Sequence, residues 1–126
     1  MSGIIKLLNK PILHLNVTAK WFDMIESGIK LEEYRETKPY WIARFDNDVY
    51  GWWIKIKDIY HKPTDVIICF SNGYSKNRKQ MYIKCNGLKL GDGRAEWGAI
   101  PGNLYFILSL GQIIHKENCN PKKSNN

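Results

Sequence analysis

Between Thr18 and Glu36 the side-chain pattern changes period at one glycine, and that change constrains the fold more than any other feature of the chain. Ahead of it, Trp21, Phe22 and Ile25 recur at offsets that place them on one face of a helix. Thr18 can cap the first turn, and Gly28 supplies the left-handed backbone that commonly ends helices. Beyond Gly28 the helical period gives out. Leu31, Glu33 and Arg35 alternate with Glu32, Tyr34 and Glu36, the pattern of a strand with two distinct faces. Glu33 and Arg35 therefore share a side, whereas Lys30, in or next to the turn, is not placed by strand parity. A helix feeding directly into such a strand calls for an α+β domain.

The remaining periodic segments are strands. Ile12 to Val17 alternates weakly and leads into the helix, and Asp65 to Phe70 is a nearly continuous β-branched run of the buried kind. Gln80 to Cys85 sets Met81, Ile83 and Cys85 against Tyr82 and Lys84. Leu104 to Leu110 is the last strong strand, with Gln112 to His115 extending it. Asn72-Gly73, Asn86-Gly87 and Gly91-Asp92-Gly93 read as turns or loops. Thr37-Lys38-Pro39 opens a second short helix that carries Tyr40, Trp41 and Arg44, with proline in the first turn, where its missing N–H costs little. Residues 45–63 mix aromatics with Asp46-Asn47-Asp48 and Gly51, and fit either a further short helix or a hairpin arm. The expected fold is mainly β with some α, a small barrel of about five to seven strands with about one to three short helices across its ends. Residues 1–115 make one domain, and residues 116–126 a basic polar tail expected to be disordered.

Composition narrows the partners. Nineteen Lys and Arg against twelve Asp and Glu give a net charge of +7 over 126 residues, and the tail contributes three lysines and one glutamate, or +2. The remaining +5 belongs to the folded body and favours polyanions, nucleic acid first. Five Trp and seven Tyr are many for this length, so some rings should line a surface or cleft. Cys69, Cys85 and Cys119 form no CxxC pair; the first two read as small buried hydrophobes and the third as a free thiol, which suits a reducing, cytoplasmic setting. Met1 to Leu8 lacks the long apolar region of a signal peptide, and no run approaches the roughly 20 apolar residues of a membrane span. His14, His61 and His115 have no metal-binding spacing, and no phosphate loop or dinucleotide fingerprint occurs, so neither metal nor cofactor is implied.

Two stretches hold candidate chemistry. In the first, Lys30 and Arg35 near Glu33 keep that carboxylate ionised and leave cationic donors for a phosphate or a base edge. Equally, Glu33 and Arg35 can brace their strand to the rest of the fold. In the second, Asn72 and Tyr74 follow a buried strand, where Tyr74 can stack on a base and Asn72 can read an edge. Ser75, Lys76, Arg78 and Lys79 extend that loop with cations suited to phosphates, unless it is simply a solvated hairpin tip. Trp21, Trp41 and Trp97 are candidates to wall a cleft, with Trp21 the more natural core residue and Trp97, in an irregular segment, the better wall.

Gly28-x-Lys30-x-x-Glu33-x-Arg35 resembles the GxKxxExR signature of the ASCH domain (activating signal cointegrator homology), a branch of the PUA-like β-barrels. The likeness continues through Lys38-Pro39-Tyr40-Trp41, Asn72-Gly73-Tyr74, Trp97-Gly98 and the strand Leu104 to Leu110. It spans about residues 11–115 and is closest to the small stand-alone members found in phages and prophages. The resemblance implies a PUA-like barrel that binds single-stranded or modified RNA, or a nucleotide, in a cleft that holds Lys30, Glu33 and Arg35. Some relatives hydrolyse an acylated cytidine with a lysine and a threonine three residues later, but here that position is Glu33, which cannot attack in the same way. Others are ribonucleases, for which Lys30, Glu33, Tyr74 or Ser75 would be the catalytic candidates. A protein that binds a host protein or a nucleotide signal is the third possibility.

Overall fold

The structure is a computed structural model that describes residues 9–119 of the chain. Eight strands and two short α-helices are present among the described residues. Strand β1 (Ile12–Val17) leads into helix α1 (Ala19–Glu26), then β2 (Glu32–Glu36) and the single-turn helix α2 (Pro39–Ile42). Next come β3 (Phe45–Asp48), β4 (Gly51–Ile56), β5 (Ile59–His61) and β6 (Ile67–Asn72). Two long strands, β7 (Gln80–Gly91) and β8 (Tyr105–Glu117), complete the fold. It is the mostly-β, α+β class expected.

Five strands form one sheet in the order β1-β6-β7-β8-β2, and β3-β4-β5 form a second. β1 runs parallel to β6, which α1, β2 and the second sheet make possible by carrying the chain away before it returns. The other pairs are antiparallel. The large sheet does not close into a barrel: β1 and β2 are its two edges. Across that seam the Arg35 Nη2 donates to the Asn16 carbonyl at 3.0 Å, a side-chain clasp in place of a strand ladder.

Alternation builds the core. Leu13, Leu15 and Val17 of β1 share it with Ile68 and Phe70 of β6, Met81 and Ile83 of β7, and Phe106 and Leu108 of β8. α1 adds Phe22 and Ile25, and the second sheet adds Phe45 and Ile54. The opposite face of β8 buries Tyr105 and Ile107 with Ala99, against Tyr34. Cys69 and Cys85 are fully buried, and burial pushes both thiols up, so they behave as inert hydrophobes. Cys119 is a free thiol, half-buried, with its Sγ 3.4 Å from the Gln80 carbonyl.

Several boundaries differ from the sequence reading. Asn86-Gly87 is no turn: β7 runs through it, with register shifts between Tyr82 and Gly87. A bulge absorbs the pair, and Gly111 opposite is what admits it, because a Cβ there would stand 2.6 Å from the Asn86 side-chain oxygen. Asp65 belongs to a 3₁₀ turn, Pro63–Asp65, and the buried strand begins at Ile67. Lys38, not Thr37, occupies the cap position of α2. Of the expected tail, Lys116 and Glu117 lie in β8 and Asn118 donates its side-chain amide to the Arg78 carbonyl at 3.1 Å, while residues 120–126 fall outside the described residues.

Candidate functional site

The glycine at the period change does what the pattern requires. Gly28 has φ +82°, and behind it the N–H groups of Ile29 and Lys30 both return to the Met24 carbonyl, at 2.9 and 3.0 Å. This tight wrap turns Lys30 inward. Its Nζ lies 3.0 Å from Glu33 Oε1 and also donates to the Glu32 carbonyl. The ring of Tyr34 sits 4.8 Å from the amine and that of Trp21 5.5 Å. The second oxygen of Glu33 takes the Arg35 Nη2 at 2.8 Å. One carboxylate thus bridges two cations, and side-chain exposure rises outward along the string, 1% for Lys30, 8% for Glu33 and 19% for Arg35.

Burial pushes the Lys30 amine below the ordinary lysine range, and the Glu33 carboxylate opposes that shift. Tyr34 supports the cluster from the other face of β2. It donates to Glu32 Oε1 at 2.7 Å and accepts the Arg94 N–H at 2.9 Å, and burial together with the Glu32 bond raises its hydroxyl well above the usual tyrosine range.

At the outer end the arrangement is incomplete. The Arg35 guanidinium lies 5.2 Å from the Trp41 ring centre, and its Nη2 donates to both the Asn16 carbonyl and Glu33. Its Nε–H is buried without a partner, and so is the Asn16 side-chain oxygen. Buried polar atoms are nearly always paired, so a donor and an acceptor left over on two residues already joined by a hydrogen bond set this end of the cluster apart from the rest. Asn16 escaped the sequence reading. It sits in an otherwise ordinary strand, and only the seam between β1 and β2, which brings residues 16 and 35 together, gives it a role.

The hollow beside the motif is small, about 180 Å³, and lies under the end of α1 between Ile25, Lys30, Leu31, Leu110 and Ile113. Among the described residues, no hydrogen bond or ion pair joins the 72–79 loop to Lys30, Glu33 or Arg35. Asn72 donates its N–H to the Lys79 carbonyl at 3.0 Å and so closes the loop. Tyr74 is 85% exposed, Ser75 and Lys76 are exposed, and the Arg78 guanidinium folds back onto the Ser75 carbonyl at 3.1 Å. Trp97 is buried, with the Arg94 guanidinium 4.9 Å from its ring, so it packs rather than walls a cleft. Trp41 has the better claim to be a wall. Among the described residues no group of three His, Cys, Asp or Glu could hold a metal ion, and no helix is long and apolar enough to cross a membrane.

Compared with known proteins, the chain matches no family model, no curated protein and no solved structure.

Proposed function

We propose that the protein is an ASCH-like domain that binds single-stranded RNA or a nucleotide, with Arg35 and Asn16 as the groups that meet a base. The observation that carries this reading is the orphaned pair itself: a buried Nε–H donor on Arg35, over the Trp41 ring, and a buried amide acceptor on Asn16, whose backbone carbonyl Arg35 already holds. A nucleobase edge offers a donor and an acceptor side by side. Lys30 and Glu33 then act behind the contact, holding the guanidinium in place. Binding suits this cluster better than catalysis, because the Lys30 amine would have to leave Glu33 and two rings to reach a substrate. The free thiols fit a reducing cytoplasm as the place of action.

Fluorescence polarisation with a short labelled RNA tests this. Wild-type protein should bind, with affinity falling as salt rises. Asn16→Ala, which keeps the backbone carbonyl that Arg35 uses, should weaken binding by about 1–3 kcal/mol. No binding, or binding indifferent to salt, would contradict the reading.

A further inference from the structure

Two hollows larger than the one at Lys30 lie away from the motif. One, of about 400 Å³, and a neighbour of about 380 Å³ share Tyr40, Arg44 and Lys57 as walls. Together they make a groove between α2, the first half of β1 and the β4–β5 turn, each part several hundred Å³, as ligand sites usually are. The hollow at Lys30 is less than half of either.

The groove is cationic and aromatic. Arg44 and Lys57 make no ion pair among the described residues, and Lys55 has only the Asp58 carboxylate, 3.8 Å away and 96% exposed. The Lys55 N–H donates to the Arg44 carbonyl at 2.7 Å, which seats the two cations together. Tyr40 is 60% exposed under the Arg44 guanidinium, 4.6 Å from its ring centre. His14, on the β1 wall, has its pKa lowered by partial desolvation and by the positive charges of Arg78 and Lys57.

Backbone strain falls at the same place. Ile56 pairs with Ile59, so Lys57 and Asp58 alone form the turn, at φ 52° and 64°. A two-residue hairpin turn of this hand is normally Asn-Gly, and a lysine there sacrifices stability. The strained position thus presents a cation at the mouth of the groove.

We propose that this groove holds the phosphodiester backbone of a single-stranded nucleic acid, with Arg44 and Lys57 on phosphates and Tyr40 stacked on a base. The inference rests on the RNA-binding reading above and assigns the backbone to this groove instead of the 75–79 loop. Trp41 joins the two sites, since it lines the groove and also faces the Arg35 guanidinium.

The test is a titration of labelled oligouridine at low and moderate salt with wild type, Arg44→Glu/Lys57→Glu, Lys57→Asn and Lys76→Glu. The double reversal should lower affinity about tenfold or more and flatten the logarithmic salt slope by about two. Lys57→Asn, which suits the turn, should weaken binding several-fold with the melting temperature unchanged or raised. Lys76→Glu should do less than either. If wild type binds and both groove variants stay within about twofold of it, the groove is not the site although the RNA-binding reading stands. If wild type binds no RNA at any salt, both are overturned. Binding of polyglutamate as tight as that of RNA would also remove the stacked base.

Discussion

The chain keeps its cations in two ways. At Lys30, Glu33 and Arg35 the charges are buried or partly buried and answer one another, one carboxylate oxygen to each cation. At Arg44, Lys55 and Lys57 they stand around an open groove with a single exposed carboxylate among them. Sequence alone makes the first group look like the ligand site, because its spacing is a recognisable motif. The physical chemistry separates the roles: a buried, mutually satisfied trio fastens the fold, and open, uncompensated cations are the ones free to meet an anion. Arg35 belongs partly to both, since it clasps the seam between β1 and β2 and still has a free Nε–H.

The sharpest way to break this contrast is at its centre. Glu33→Gln keeps the shape but leaves buried Lys30 and partly buried Arg35 without their counter-charge, and should cost about 3–5 kcal/mol in urea unfolding. A loss below about 1 kcal/mol would mean that the trio fastens nothing. Arg35→Ala removes the clasp, and a loss of about 2–3 kcal/mol is expected, the value of hydrogen bonds to a charged group. Faster amide exchange along β1 and β2, with β7 unaffected, would place that loss at the seam. At the groove the sign reverses: Lys57→Asn should gain about 1 kcal/mol or less by relieving the left-handed lysine.

The smallest effect concerns pH. The folded state holds the His14 pKa below its ordinary 6.5, so it resists protonation. This contribution to stability is present above about pH 6.5 and is lost as pH falls from there through the lower value of the folded state. A phosphate in the groove would favour the charged ring, so RNA affinity should rise as pH falls below about 6.5. That rise should vanish in His14→Gln. A flat profile in wild type would separate His14 from the ligand.

Where local pattern and tertiary structure agree, the sequence was readable. β1, α1 and Gly28 were legible because alternation, helical spacing and a positive-φ glycine act within a few residues. That Glu33 and Arg35 share a face followed from strand parity, but the direction of Lys30 did not, since the wrap onto Met24 sets it. Residues 45–63 were opaque for a physical reason. Their turns lack the usual signals: Lys57-Asp58 replaces Asn-Gly, and Val49 and Tyr50 are 91% and 85% exposed where polar residues would be expected. The open seam was invisible too, because a barrel and a clasped sheet share the same strand patterns. With it went Asn16 and the groove, which are products of how distant strands meet.

The division of labour between the two regions can be read most directly from the tryptophan indole N–H resonances during titration of ¹⁵N-labelled protein with a short single-stranded RNA. The Trp41 signal, at the groove and Arg35, should shift most, while that of Trp21, packed beside Lys30, stays nearly still. A large shift at Trp21 with Trp41 unmoved would put the ligand on the motif's buried charges and contradict the account.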